Sequence, residues 1–559
     1  MTVDERQDGN GAAPAPAEAE MSLLVDVGSA WTKAAAVARS RGRWRIVSHV
    51  AQPTGWGEDE LRAALAGRLA PVADRRVAER IADLLRGVPR IACHTPRRPG
   101  HIGLAAVSSE LSGDAARRAA ESAGWSVVEA ATADDGRSLS ARLAALQAAD
   151  VDVWLVAGGF DDGRADQALE MAGLVAAARG GSPQPVIWAG AESLTPEVAL
   201  LFEDGAVRNV ANPRPSAHRE NPLPLRHLLE EMLQRMVEPG GVRQLTPVSF
   251  RRGIAELARS SMRRILGVDL GAHYLTWVLA DEGGAAESRV FADGGLASRN
   301  LVAQGGAGRL SRMLSLAIDE LAVADALRNL HARPGTLPQT DDELAVTHAA
   351  ARYLLAQASG DADGVEGVDL LVGCGRTIAA APRPAQAAQL LLDGVRPLGI
   401  TQLAIDSAGA LPPIGALDDS EIGEGMGVLR DDLLVPLGTA VVARGVRSGQ
   451  LAMRVAVHRT GWPDQAPIEV RGGSVQVLPL GRGQAADLEV ELAGGVTLGG
   501  ARHGRRVRAT VSGGAVGLIL DARDAPLALP RRSEDRRAVL AGWRDTFQRE
   551  PAQAVAVSP

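Results

Sequence analysis

The sequence is poor in cysteine and in long apolar runs. Its 559 residues include two cysteines, Cys93 and Cys374, which are too few for a disulfide framework or a cysteine metal cluster. Apolar stretches such as VDLLVG at 368–373 have the length of a strand, whereas a membrane-spanning helix needs about 18 to 20 apolar residues. These absences predict a cytoplasmic protein that does not span a membrane.

Basic side chains are fewer than acidic ones, and nearly all are arginine. The 60 basic and 67 acidic residues give a net charge of -7, which disfavours broad contact with nucleic-acid phosphates. We therefore expect no nucleic-acid partner. Lys33 is the only lysine among the 60 basic residues. Arginine cannot always replace a compact ammonium group, so Lys33 is either a chance remnant or a functional residue.

The segment around Lys33 has the pattern of a phosphate-binding turn. In LLVDVGSAWTKAAAVA at 23–38, two apolar runs flank a glycine, which predicts strand, turn and strand. Gly28 allows backbone N–H groups to face a phosphate, Ser29 and Thr32 offer hydroxyls, and Lys33 offers a charge. Asp26 could hold Mg²⁺ through water and take part in catalysis. A plain hairpin with a glycine turn is the alternative interpretation.

The same pattern occurs a second time. RILGVDLGAHYLTWVLAD at 264–281 aligns without gaps on 21–38, which places Asp269 on Asp26, Gly271 on Gly28 and Thr276 on Lys33. Two such units facing each other would place two Asp-x-Gly turns on opposite sides of a cleft. That arrangement suits a polyphosphate with Mg²⁺, so Asp269 is a second candidate for metal binding and catalysis.

A third glycine turn follows a strand-like run in VDLLVGCGRTIAAAPRPAQA at 368–387. Gly373 and Gly375 could form either a tight turn between a strand and a helix or the loop that receives an adenosine. Their position after two phosphate-type turns favours the adenosine loop.

Together these residues resemble the actin/Hsp70/hexokinase superfamily of ATP-binding folds. LLVDVGSAWTK, ILGVDLG and, above all, the stretch around APRPAQA resemble the glutamate mutase accessory family called GlmL or MutL, which is unrelated to the mismatch-repair protein MutL. The resemblance covers residues 21 to about 545. It implies two duplicated actin-like ATPase lobes of the RNase H type, a bound ATP or ADP with Mg²⁺, subunits of a cobalamin-dependent mutase as partners, and no cobalamin bound by this chain.

Two departures from the family pattern affect the expected activity. Ala272, His273, Tyr274 and Leu275 stand where the second turn usually has small and hydroxyl residues, and Arg376 stands where the family tends toward glycine. Bulk at the second turn could crowd the γ-phosphate side. We therefore expect nucleotide binding with at most slow or partner-stimulated hydrolysis.

These landmarks divide the chain. We expect a disordered tail at 1–20, and Asp161, which follows the strand-like VWLVAGG at 153–159, is a weaker catalytic candidate or a helix cap. The remaining expected units are a first α/β lobe at 21–255, a second at 262–445, an all-β domain at 446–530, and a terminal helix and tail at 531–559.

Three functions are compatible with the sequence. The first is an ATP-binding accessory or chaperone-like protein that reactivates or assembles an adenosylcobalamin-dependent mutase. The second is a small-molecule kinase of the same superfamily, which would need a carboxylate base beside a substrate pocket. The third is a nucleotide-gated scaffold without catalysis.

Overall fold

The computed structural model describes residues 20–69, 75–161, 163, 166–202, 205–237, 244–303, 305–360, 365–459, 461, 466–499 and 506–549. The expected tail at 1–20 falls outside these residues except for Glu20, as does the end of the chain after 549. Within the described ranges, no helix is both long and apolar enough to cross a membrane.

The first half of the chain alternates strands and helices. In chain order they are β1 (Met21–Val27), β2 (Trp31–Ser40), β3 (Arg43–Pro53), α1 (Glu58–Leu69), α2 (Arg75–Arg86), β4 (Arg90–His94), β5 (Gly100–Ala106), α3 (Asp114–Ser122), β6 (Trp125–Thr132), α4 (Leu139–Ala148), β7 (Val153–Gly158), α5 (Asp166–Arg179), β8 (Val186–Gly190), α6 (Thr195–Leu201), β9 (Val207–Asn209), α7 (Leu223–Met236), β10 (Gln244–Leu245) and α8 (Thr246–Ser261).

The first-lobe sheet has the strand order β3-β2-β1-β4-β10. Strands β1 to β3 are antiparallel neighbours, and β4 and β10 run parallel to β1. Successive side chains of β1 point to opposite faces of the sheet, and both faces are covered by helices. Leu23 packs with Leu65 of α1, and Leu24 packs with Phe250 of α8. The apolar strand therefore holds Asp26 near its carboxyl end with both faces of the sheet protected.

A second sheet is inserted between β4 and β10. Its five strands are all parallel in the order β6-β5-β7-β8-β9. One face packs on α3 and α7 and the other on α4, α5 and α6. The unbroken apolar runs of β5, β7 and β8 are typical of parallel strands covered on both sides. The segment 21–255, expected as one lobe, therefore contains two sheets with separate cores.

The second half continues with the same alternation and ends in short strands. The elements are β11 (Ile265–Leu270), β12 (Tyr274–Ala280), β13 (Ala286–Ala292), α9 (Arg299–Val302), α10 (Gly306–Ser311), α11 (Glu320–Ala332), α12 (Asp341–Ala358), β14 (Val365–Glu366), β15 (Leu370–Cys374), α13 (Arg376–Ala379), α14 (Pro384–Gly394), β16 (Pro397–Asp406), α15 (Leu411–Gly415), α16 (Ile422–Val428), β17 (Leu434–Val442), β18 (Leu451–His458), β19 (Ile468–Arg471), β20 (Val475–Leu478), β21 (Ala485–Leu492), β22 (Arg506–Ser512), β23 (Gly517–Asp521) and α17 (Ser533–Gln548).

The second lobe repeats the first. Its strands β13-β12-β11-β15-β16 have the same order and directions as β3-β2-β1-β4-β10. Two copies of one five-stranded topology, each beginning with an Asp-x-Gly hairpin, constitute the duplicated actin-like fold. The expected fold class is confirmed.

A β-rich region follows the second lobe, as expected. Strands β18, β19, β21 and β22 form a four-stranded sheet of their own, whereas β20 and β23 extend the second-lobe sheet beyond β17. This β-rich region is thus continuous with the second lobe through two of its strands. The boundary at 446 remains a prediction.

Candidate functional site

The two Asp-x-Gly turns have the same construction. The Gly28 N–H donates to the Trp31 carbonyl (3.1 Å), and the Gly271 N–H donates to the Tyr274 carbonyl (2.9 Å). A Cβ on Gly28 would lie 2.5 Å from the Trp31 carbonyl oxygen, so a larger residue would force this turn open. Each turn follows a strand that carries its aspartate inward.

The aspartates occupy matching registers. Asp26 on β1 lies opposite Lys33 on β2, and Asp269 on β11 lies opposite Thr276 on β12. The repeat extends further than the sequence alignment, because Asp26 also faces Cys93 on β4 and Asp269 faces Cys374 on β15. Burial raises the pKa of both thiols well above the ordinary value. The chain's two cysteines therefore have equivalent, buried positions behind the site.

Lys33 pairs with Asp26 and lies among three aspartates. Its Nζ is 2.8 Å from Asp26 Oδ2, and its side chain is 12% exposed. Burial by itself would lower the pKa of Lys33, but the negative charges of Asp26, Asp269 and Asp406 raise it well above its ordinary value. The lysine is therefore permanently charged and held by carboxylates.

Asp269 has an environment that favours its protonated form. Burial raises the pKa of this carboxyl to about 6 against the attraction of Lys33, and the charges of Asp26 and Asp406 raise it as well. Its Oδ1 is buried without a hydrogen-bond partner. Such a carboxylate can accept a proton near neutral pH or bind a cation.

Asp406 completes the cluster of charged residues around Lys33, and no local motif of the sequence indicated it. It ends β16, and its Oδ2 accepts the Leu411 N–H at the start of α15 (2.7 Å), while its Oδ1 is buried and unpaired. Burial raises the pKa of Asp406, although the hydrogen bond from the Leu411 N–H favours the charged form. The available signal was an apolar strand, LGITQLAID, ending in an aspartate beside the third glycine turn.

Two helices begin at the floor of the site and cross closely. The hydroxyl of Thr246, the first residue of α8, donates to Asp26 Oδ1 (2.9 Å). A Cβ on Gly253 of α8 would lie 2.9 Å from the Leu411 carbonyl oxygen, and one on Gly415 of α15 would collide with the Ser249 carbonyl. Both lobes therefore connect to the site through one tight helix crossing, which suits a hinge.

Asp406 lines a smaller cavity behind Lys33, whereas the two turns, Asp26, Lys33 and Asp269 line a cleft between the lobes. The structure brings together most of the predicted site residues here: Asp26, Gly28, Ser29, Lys33, Asp269, Gly271 and Thr276. Toward the other end the walls are largely apolar, from Leu337, Leu344, Ala380, Ala381 and Pro382. Charged and apolar ends in one cleft match a ligand with a phosphate chain and a flat base.

Other predicted residues lie elsewhere. The Thr32 hydroxyl lies 3.2 Å from that of Thr54 and does not line the cleft. Gly373 packs on Ile378, and Gly375, with φ +91°, lies directly against the Leu270 carbonyl. Gly373 and Gly375 thus allow the third glycine turn to pack closely against its neighbours, and their role in binding adenosine remains a prediction.

Asp161 is not brought to the cleft. It follows β7 of the inserted sheet, where its Oδ1 accepts the Asn212 side-chain amide (3.1 Å), and it is exposed. The inserted sheet presents this loop at its own edge, so Asp161 does not join the carboxylates at the two turns. Its catalytic role remains an untested prediction.

Only some of the bulky side chains of the second turn face the cleft. Leu275 points into the lobe core, whereas Tyr274 lines the cleft and donates its hydroxyl to the Arg98 carbonyl (3.3 Å). The Ala297 N–H donates to the Ala272 carbonyl (2.7 Å) and the Gly295 N–H to the His273 carbonyl (2.9 Å). The turn is therefore braced from behind by residues 295–297.

His348 on α12 lines the cleft wall. Burial, with a smaller effect of Arg352, lowers its pKa to about 4. The imidazole is neutral at physiological pH, so it can donate or accept a hydrogen bond at the apolar end of the cleft.

The donor set fits a magnesium ion bound jointly with a nucleotide. Among the described residues, no group of three or more His, Cys, Asp or Glu side chains can hold a metal ion by itself. Mg²⁺ usually keeps several waters and uses one or two carboxylates together with substrate phosphates. The unpaired oxygens of Asp269 and Asp406 offer such carboxylate ligands.

Sequence comparison settles the family. The profile of the MutL protein family matches residues 22–433, which is most of the chain and includes both turns and Asp406. The chain belongs to the MutL family. The resemblance to the glutamate mutase accessory family is thereby confirmed. A comparison with curated proteins finds no match.

Solved structures similar to this MutL-family chain include three enzymes. A nucleotide-free acetone carboxylase is 12% identical with a TM-score of 0.30, covering 81% of each chain. The PPX-GPPA enzyme of Aquifex aeolicus is 11% identical with a TM-score of 0.20 over 74% of this chain and 91% of that one. Xylulose kinase of Bifidobacterium adolescentis is 12% identical with a TM-score of 0.24 over 75% and 96%. The likeness is weak at these scores and says nothing about substrate.

Proposed function

We propose that this MutL-family chain is an ATP-binding accessory protein that reactivates or assembles an adenosylcobalamin-dependent mutase of the glutamate mutase type. The observation that carries the nucleotide part is the pair of matching Asp-x-Gly turns facing one cleft, with Lys33, Asp26 and Asp269 lining it and Asp406 in the cavity behind Lys33. The family carries the partner part. The protein is soluble in this proposal and acts in the cytoplasm.

The geometry supports a nucleotide-driven change of lobe position. The backbone N–H groups and Ser29 of the first turn, together with Thr276 of the second lobe, would bind phosphates from both sides. Mg²⁺, held near Asp26, Asp269 and Asp406, would neutralise phosphate charge. Because a ligand that touches both lobes favours the closed state by its differential affinity, exchange of ATP for ADP can move the lobes about the crossing of α8 and α15. A bound mutase would be opened or released by that movement.

A pull-down from native extract tests this function. The full chain is immobilised with Mg-ATP, with Mg-ADP or without nucleotide, and retained proteins are identified by mass spectrometry. We expect a cobalamin-dependent mutase to be retained in amounts that differ among the three conditions. Retention of no cobalamin enzyme in any condition, with a phosphorylated metabolite accumulating on incubation with ATP, would replace the accessory function with kinase activity.

The kinase alternative has one observation in its favour, the carboxyl of Asp269 with its pKa near 6 and a free oxygen in the cleft. A base of this kind could activate a hydroxyl or water. We nevertheless expect the isolated protein to turn over ATP below about 1 s⁻¹, the low end of ordinary enzyme rates, because Tyr274 occupies the second turn. A steady-state phosphate-release assay measures this, and a faster rate without partner would favour the kinase.

Lys33→Ala is expected to weaken Mg-ATP and Mg-ADP binding at least about tenfold, or roughly 1.4 kcal/mol. Removing the only ammonium group leaves Asp26, Asp269 and Asp406 without its positive charge, so they repel the phosphates. Calorimetric titration measures the affinity. Arg43→Ala, an exposed change on the same sheet, is the matched control and should bind like wild type. Equal affinity of Lys33→Ala and wild type would reject the assignment of the phosphate end.

A further inference from the structure

Arg376 is a charged group in the cleft that the proposed function has not used. It directly follows Gly375 and lines two spaces, the cleft itself and a smaller cavity behind Lys33 that also contains Asp406 and Gly409. Its guanidinium carbon lies 4.8 Å from the centre of the Trp31 ring. Because Trp31 belongs to the first phosphate turn and Arg376 to the second lobe, this contact joins the lobes across the cleft.

Arg376 lacks a counter-ion within the part of the chain that the structure describes. Among the described residues no carboxylate forms an ion pair with it, and its Nε is buried without a hydrogen-bond partner. Lys33 differs, since it is bound to Asp26 at 2.8 Å. Burial, and then the like charge of Arg68, lower the pKa of Arg376. A half-buried guanidinium in this situation is unfavourable until an anion enters the cleft.

The aromatic ring of Trp31 can position the Arg376 guanidinium for binding an anion. A guanidinium over an indole face is attracted by the ring, and it keeps its in-plane N–H groups available for an anion. Arginine presents those donors as a planar fork that matches phosphate oxygens in pairs. Trp31 also lines the cleft.

We propose that Arg376 is the cation that recognises the nucleotide's phosphate chain, with Trp31 as its platform, while Lys33 stays with the carboxylates. The proposal rests on the proposed nucleotide-binding function and adds a specificity-determining contact between the lobes. Phosphate binding then changes the contact between Trp31 of the first lobe and Arg376 of the second, so a phosphate in the cleft affects both lobes at once.

Calorimetric titration of the full chain with Mg-ATP and with adenosine tests the assignment. We expect Arg376→Gln to weaken Mg-ATP binding at least tenfold and to leave adenosine affinity within twofold, which also shows that the variant is folded. Arg376→Lys should recover only part of the Mg-ATP affinity. Arg383→Gln, an exposed change seven residues away that does not line the cleft, is the matched control and should bind both ligands like wild type.

Tryptophan fluorescence supplies a second measurement. Mg-ATP should change the emission of wild type, and Trp31→Phe should remove the larger part of that change, as should Arg376→Gln. Mg-ATP binding by Arg376→Gln within twofold of wild type, or an unchanged emission response in Trp31→Phe, would overturn the proposal while leaving nucleotide binding intact. Wild type that binds neither Mg-ATP nor adenosine would overturn the proposed function and this inference together.

Discussion

Replacing Asp393 with asparagine is expected to destabilise the second lobe by about 3 to 5 kcal/mol, the usual cost of removing one partner from a buried ion pair. Asp393 on α14 is 1% exposed and binds two arginines, Arg523 (2.7 Å) and Arg352 (3.2 Å). Arg523 is fully buried and also pairs with Asp521 at 2.7 Å. The variant would leave Asp521 as the carboxylate of this network that faces the two guanidinium groups of Arg523 and Arg352, so one positive charge loses its compensation.

The same network anchors the terminal helix. The guanidinium of Arg523 lies over Trp543 (5.1 Å) and Phe547 (5.4 Å), both on α17. We therefore expect amide hydrogen exchange in α17 and α14 to accelerate in Asp393→Asn, together with a lower urea midpoint.

The matched control is Asp545→Asn on the exposed side of α17. Asp545 forms an ion pair with Arg544, but its side chain is 56% exposed, so its loss should cost no more than about 1 kcal/mol. If Asp393→Asn and Asp545→Asn unfold at the same urea concentration, the buried network does not stabilise this region as argued.

Local patterns of the sequence were sufficient to predict the duplicated fold. A strand, a glycine turn and a second strand are encoded within 18 residues, and the gapless match of 264–281 on 21–38 reflects the same hairpin built twice. Each hairpin also predicts where its own aspartate lies. Asp26 and Asp269 were identified in this way.

Features that depend on contacts between distant segments could not be predicted from local patterns. The inserted parallel sheet was not separated from the first lobe, because sheet membership depends on which strands pair. Asp406 reaches the site only through the register of β16 beside β15. The Arg376–Trp31 contact joins residues of different lobes. The sequence showed Arg376 as a departure from the family pattern, but it did not show that Trp31 is its partner.

The inserted sheet also shows why hydropathy does not reveal the separate sheets within residues 21–255. Its strands β5, β7 and β8 are as apolar as β1 and β11, so hydropathy alone assigns them to a common core. In the folded chain their side chains pack into two clusters of their own. The division follows from the helices on each face, which the sequence pattern of the strands does not encode.

Asp269→Asn is expected to stabilise the nucleotide-free protein at pH 8 and to have little effect near pH 3.5. Burial raises the pKa of Asp269 from 3.8 to about 6, so the folded state holds this proton more tightly than the unfolded chain. Stability therefore falls as pH rises from about 3.8 to about 6, and the cost of ionising the buried carboxyl is fully present above that range. A shift of about two pKa units corresponds to roughly 3 kcal/mol, which sets the upper limit of the gain.

The gain is measured as the difference in free energy of unfolding between Asp269→Asn and wild type, by urea titration at the two pH values. Asp325→Asn, an exposed change on α11, should show no such pH-dependent difference. A gain of the same size at both pH values, or a loss of stability at pH 8, would contradict the buried-carboxylate explanation. If the variant is more stable but binds Mg-ATP less well, the protein retains Asp269 at a cost in stability because the cleft needs a carboxylate there, as is common where binding requires a group that folding disfavours.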